Sequence, residues 1–138
     1  ASEIAMSSDI PMLLMSGVNK GGIESAAVDL VAHANMLEKL GVTVEAILLN
    51  KVYNQNIFEN VVPYIKNNTQ VKNVLNVSKL KIDGRGFTPE VEIRYDLFSK
   101  YALECVEENI DINTIASMAK NVNFNRIIPF KEIKNKVI

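Results

Sequence analysis

The sequence predicts an α/β fold, a parallel sheet with flanking helices, followed by a helical C-terminal third. Three observations carry that expectation. A short, wholly apolar run, Pro11 to Ser16, is bounded by turn-forming residues on both sides. A stretch with helical periodicity follows it, from Ile23 to Leu40. A second apolar run, Val42 to Leu49, comes directly afterwards. Strand, helix and strand in that order form a βαβ unit, whose two strands run parallel.

Each element has its own signature. Pro-Met-Leu-Leu-Met-Ser from position 11 fits a strand buried on both faces, the usual state in a parallel sheet. In the helix, Ile23, Ala26, Ala27, Leu30, Val31, Ala34, Leu37 and Leu40 share one face at three-and-four spacing. Asp29, His33, Asn35, Glu38 and Lys39 fall on the other side. Glu24 suits the positive end of the helix dipole, and Gly41 supplies a left-handed terminating residue. Asn54 then caps a second helix carrying Ile57, Phe58, Val61, Val62 and Ile65. Pro63 lies inside it and is expected to kink it or end it early. Asn73 to Val77 reads as a third strand, and Ser78 to Thr88, with Gly84 and Gly86, as a loop.

The last third changes character. Glu92 to Glu108 is amphipathic, with Ile93, Leu97, Phe98, Tyr101, Ala102 and Cys105 on one helical face. Asp111 or Asn113 caps a shorter helix through Met118 and Ala119. The tail carries Ile127, Ile128 and Phe130, then alternating charge from Lys131 to Lys136, and reads as an edge strand or as loosely ordered chain. The 138 residues fit one domain, divided into an α/β core over 1–90 and a helical extension over 91–138. Ser2 to Met6 resembles the last turn of a helix already under way, so the chain reads as part of a longer protein or as a processed N-terminus.

Composition narrows the function classes. Apolar residues make up 48% and charged residues 22%, ordinary for a globular protein. A net charge of −1 and a pI near 5.9 give no bulk attraction to a phosphate backbone, so nucleic acid is not the expected partner. No apolar run reaches the roughly 20 residues of a membrane helix, so no membrane association is expected. The single cysteine, Cys105, excludes an internal disulfide and points to a cytoplasmic location. It falls on an apolar helix face and reads as a small core residue before it reads as a nucleophile. His33, the only histidine, lies on a polar helix face with no neighbour to share a metal.

Ligands of open parallel sheets bind at the carboxyl ends of the strands. Two segments occupy such ends here. The first is Gly17 to Ser25. Its adjacent Gly21 and Gly22 let backbone approach a ligand, the start of the helix offers free N–H groups, and Lys20 adds a positive charge. Lys20, Gly21, Gly22, Ile23, Glu24 and Ser25 are therefore candidate substrate-binding residues. The same residues also read as a tight turn with a solvated lysine. The second segment is Asn50-Lys51, the candidate nucleotide-binding pair. An asparagine offers a donor and an acceptor together, which matches a purine edge; the alternative is an asparagine capping a loop. No Gly-x-x-x-x-Gly-Lys-Ser/Thr phosphate loop and no Gly-x-Gly-x-x-Gly fingerprint occurs. No catalytic residue and no metal ligand is assigned.

These residues carry a resemblance. Asp9 to Val18, with Lys20-Gly21-Gly22-Ile23, then Gly41 to Val52 and Asn73 to Val77, resembles the second half of dethiobiotin synthetases and of the cobyrinate and cobyrate amide synthases. The likeness spans residues 3 to 80, and Ile110-Asp111-Ile112 after the long helix is similar to the end of the amide synthase ATPase domain. The resemblance implies a Rossmann-like half of a P-loop NTPase-like fold and an ATP-dependent carbon–nitrogen ligase. Such enzymes activate a carboxylate as a mixed phosphoric anhydride with ATP and Mg²⁺. It implies that Asn50 contacts the purine and that Lys20 to Ser25 touch a small-molecule substrate at a dimer interface. Glu24-Ser25 stands where dethiobiotin synthetases carry Asn-His, a departure in the substrate loop. The family's phosphate loop, metal-binding acids and catalytic lysine lie N-terminal to the matching segment. The resemblance thus implies that ATP and Mg²⁺ bind only with that other half, through a homodimer or a pairing with it, and that this chain alone does not hydrolyse ATP. Gly21-Gly22-Ile23-Glu24 with Asp29-Leu30 also resembles the N-terminal domain of retaining glycosyltransferases with two Rossmann-like domains. A regulatory or interaction domain of the same fold is the third alternative.

Overall fold

The computed structural model describes residues 2–19, 21–80 and 95–120. The elements run α1 (Ser2–Ser8), β1 (Met12–Gly17), α2 (Gly22–Lys39), β2 (Val44–Val52), α3 (Gln55–Asn68), β3 (Asn73–Ser78), α4 (Tyr95–Asn109) and α5 (Ile112–Lys120). The three strands form one sheet in the order β1-β2-β3, and both pairings are parallel. This is the expected Rossmann-like α/β arrangement. Among the described residues, no helix is long and apolar enough to cross a membrane.

The core lies between the sheet and the pair α2 and α3. Leu14, Ile47 and Val74 are register partners and therefore share a face. They pack in one cluster with Ile23, Ala27, Leu30 and Ala34 of α2 and with Phe58, Val61 and Ile65 of α3. Ile47, Leu49, Ile23 and Ile65 have no measurable exposure, so the apolar periodicity read from the sequence is the packing interface. Asn76 reaches the same face from β3, where its side-chain N–H donates to Gln55 Oε1 of α3 at 2.8 Å.

The helix ends follow from local chemistry. Gly41 has φ +82, a conformation that costs a residue with a Cβ about 1–2 kcal/mol. Its N–H donates to the Glu38 carbonyl and that of Val42 to the Leu37 carbonyl, which completes the end of α2. Asn54 caps α3, its Oδ1 accepting from the Ile57 N–H at 3.3 Å. Asp111 rather than Asn113 caps α5, accepting from the Asn113 N–H and the Thr114 hydroxyl.

Several expectations are corrected. β1 is not buried on both faces: Met15 is 63% exposed, because β1 ends the order of described strands and no described element covers its far margin. Leu40 and Tyr101 are exposed, not on the buried faces of their helices. Leu40 has left the helical track as the C-cap of α2. Pro63 does not end α3, which continues to Asn68. β2 starts two residues late, yet reaches Val52, so Asn50 and Lys51 belong to the strand rather than follow it. Glu38 is half-buried, with Oε1 enclosed and unpartnered. The expected loop over 81–88, the faces of Ile93, Leu97 and Phe98, and the tail from position 121 lie outside the described residues.

β2 departs from a regular strand at both ends. Met12 pairs with Val44 and Leu13 with Ala46, which leaves Glu45 without a counterpart on β1. Asn50 pairs with Val77 and Val52 with Ser78, which leaves Lys51 without one on β3. Such bulges are uncommon in parallel pairs. The first sits at the amino rim of the sheet and the second at the carboxyl rim.

Candidate functional site

The parallel register brings the ends of the three strands to one rim. Gly17 pairs with Asn50 and Asn50 with Val77, so the loop after β1 and the end of β2 emerge side by side. The ladder continues one step further on each side of β2. The Val18 N–H donates to the Asn50 carbonyl at 2.8 Å, and the Lys79 N–H donates to the Val52 carbonyl at 2.7 Å.

A cavity of about 780 Å³ opens at this rim. Its floor is formed by strand ends and the turns that follow them: Val18 and Asn19 after β1, Asn50 and Lys51 of β2, and Val77 and Ser78 of β3. Lys79 and Tyr53 stand at its sides. Helix α4 supplies an apolar wall through Ala102, Cys105 and Val106. A volume of this size is typical of small-molecule sites, and the lining mixes apolar with polar side chains.

Local bonds hold α4 in place. The Cys105 thiol donates to the Ser78 carbonyl at 3.4 Å. The Ser78 hydroxyl donates to Asn109 Oδ1 at 3.3 Å, and Asn109 Nδ2 donates back to the Cys105 carbonyl at 2.7 Å. Cys105 is thus a buried residue that joins helix to strand, and it also faces the cavity.

The candidate nucleotide-binding pair stands in the cavity. The Asn50 side chain is half-buried and hydrogen-bonds to no other described residue. Lys51 is exposed and has φ +66. The candidate substrate loop is divided. Val18 and Asn19 reach the cavity, whereas Gly21 to Ser25 do not line it. Ile23 is fully enclosed in the core, so its side chain is committed to packing. Gly21 and Gly22 lead into α2, and Gly22 has φ +84. A Cβ on Gly22 would stand 3.5 Å from the Tyr53 hydroxyl, which places the tyrosine between the turn and the end of β2. Lys20 lies outside the described residues.

Two contributions escaped the sequence reading. Lys79 is one, and the rule that picked out the ends of β1 and β2 would have found it if applied to β3. The α4 wall is the other. Its residues are distant in sequence from the strands, and no local signal links them.

Elsewhere, a smaller groove of about 310 Å³ runs between β1 and α2, beside Leu14, Met15 and Ser16. His33 borders it, with Nδ1 2.7 Å from the Asp29 carbonyl. No group of three or more acidic, histidine or cysteine side chains is placed to hold a metal ion among the described residues. Among the described residues, the rim offers no cage for Mg²⁺. No family model, curated protein or solved structure matches this chain.

Proposed function

We propose that this chain is part of an ATP-dependent ligase of the dethiobiotin synthetase and cobyrinate amide synthase type, in which it supplies purine recognition and part of the wall around a small-molecule substrate. One observation carries the reading. The Asn50 carboxamide stands half-buried, without a partner among the described residues, in a cavity at the carboxyl ends of parallel strands. A carboxamide in that state presents a paired donor and acceptor, the pattern along a purine edge. The apolar face of α4 gives the ring a surface to pack on.

The chain's own residues would bind and orient the base; ATP and Mg²⁺ supply phosphoryl activation when the remaining machinery is present. Asn50 fixes the base. Val18 and Asn19 close the side nearest the substrate loop. Tyr53, close to Gly22, joins the two turns. The phosphate loop and the metal ligands come from the complementary half or from a second subunit.

The test is Asn50→Ala, with adenine-nucleotide binding followed by calorimetry. Loss of the paired hydrogen bonds weakens binding by about 1–2 kcal/mol. Thermal stability stays within about 0.5 kcal/mol, since the side chain supports no other described group. Equal affinities in the two proteins would remove the purine site and the ligase reading with it.

A further inference from the structure

We propose that β1 pairs antiparallel with β1 of a second copy of this chain, which joins the two sheets into one and packs the two α2 helices side by side. The proposal stands independently of the purine reading.

Open hydrogen-bonding groups are the first observation. β1 ends the order of described strands. The Met12 N–H donates to the Thr43 carbonyl and the Val18 N–H to the Asn50 carbonyl, so both residues turn their backbone groups toward β2. Successive residues of a strand alternate in direction. Leu13, Met15 and Gly17 therefore turn theirs outward. Their N–H groups, and the carbonyls of Leu13 and Met15, have no partner among the described residues. The Gly17 carbonyl has the Ser16 hydroxyl, at 3.5 Å. Sheets commonly guard an open edge with a charge, a proline or a bulge in the edge strand. From Met12 to Gly17 β1 has no charge and no proline, and the extra residue of the nearby bulge belongs to β2.

Apolar exposure is the second. Met15 is 63% exposed and Met36 of α2 is 54% exposed. Both border the groove of about 310 Å³ between β1 and α2, together with Leu14, Leu30 and Leu37. Open edge and apolar groove thus form one continuous margin.

The fit to a second copy is the third. The outward residues are spaced evenly about Met15. A two-fold axis there sets Met15 against Met15 and Leu13 against Gly17, and it uses every outward N–H and carbonyl. α2 packs over β1 and β2. Strands lie about 4.8 Å apart, so the axis sets the two α2 helices two spacings, roughly 10 Å, from each other. Helices pack at that distance. Met36 of each copy then meets the other helix. Asp29 and His33 stand one turn apart on the groove margin, and the antiparallel helices bring them together crosswise, carboxylate to imidazole. An isolated strand would fill the edge and leave Met36 uncovered; a second copy covers both.

The experiment measures the mass of the 138-residue chain by sedimentation equilibrium over a range of concentrations, for wild type, Met15→Lys, Met15→Pro and Val28→Lys. Wild type should reach twice the 15.4 kDa of one chain. Met15→Lys sets like charges at the axis and should raise the dimer Kd at least about tenfold. Met15→Pro deletes an N–H that β2 does not use, and should weaken the dimer similarly. Val28 is exposed on α2 outside the groove, so Val28→Lys should leave the dimer unchanged. Hydrogen exchange reads the same edge without a variant. The amides of Leu13, Met15 and Gly17 should gain protection as concentration rises, whereas those of Met12 and Val18 stay protected throughout. A wild type that remains monomeric, its three outward amides exchanging freely, overturns the proposal and leaves the edge to a strand of another protein. A dimer that neither Met15 variant weakens, or in which those amides gain no protection, overturns it too. If a Met15 variant fails to fold, the wild-type exchange pattern decides.

Discussion

The two rims of the sheet carry the same irregularity and use it oppositely. At the amino rim the extra residue of β2 is Glu45, whose side chain is only 10% exposed and lies 2.8 Å from Lys72 Nζ. The backbone adds a second bond there, from the Lys72 N–H to the Glu45 carbonyl at 3.1 Å. At the carboxyl rim the extra residue is Lys51, which is exposed, strained, and unpaired among the described residues. One bulge closes the fold by satisfying its own charge. The other leaves a charge unsatisfied beside a cavity. A bulge therefore says little by itself; whether its side chain finds a partner separates a structural irregularity from a site.

The largest expected effect would break both rims together. Leu49 is fully buried between them, and Leu49→Ala should cost about 3 kcal/mol by the loss of transfer energy and the cavity left behind. Urea denaturation measures it. Hydrogen exchange should rise at both rims alike, since one core holds them; a rise at one rim only would show that they are stabilised separately.

A smaller change should touch the amino rim alone. Lys72→Met removes the ion-pair partner of the enclosed Glu45 carboxylate and should cost about 1 kcal/mol, the lysine being largely solvated already. Adenine-nucleotide affinity should not move. A change in affinity would show that the two bulges are coupled along β2.

The smallest effect lies away from both rims. The Thr114 hydroxyl first, then the Asn113 N–H, hold the Asp111 carboxyl below the ordinary aspartate range. The folded-state value lies below the unfolded one, so the cap contributes fully above the unfolded value and is lost as pH falls through the folded one. Amide signals of α5 should therefore shift at the acidic end of an NMR titration, and Asp111→Asn should abolish that dependence. The signals of β2 should stay unchanged in the same experiment.

The α/β core was legible because its signals are local. Apolar spacing marked α2 and α3, Asn54 and Gly41 marked their ends, and three apolar runs marked the strands. The exposure of Met15 was not legible, since strand order is a tertiary fact and the Pro11–Ser16 run reads the same at an edge or in the centre. The bulges were hidden for a similar reason, because each exists only relative to a neighbouring strand. The early end expected at Pro63 does not occur, because the packing of Val61 and Ile65 carries α3 past it. Asn50 was singled out from its position at a strand end, and it lines the cavity there. Cys105 was placed correctly as a buried residue, but its second role, in a wall opposite that asparagine, needs the helix to be docked first.

The bonds from Val18 to Asn50 and from Lys79 to Val52 grip the last rungs of β2 from both flanks. A side chain mounted on such a clamped backbone has little left to organise when a guest arrives. If the proposed purine site holds, capture at Asn50 should accordingly be a one-step event, with an arrival rate governed by diffusion and a lifetime governed by the contacts themselves.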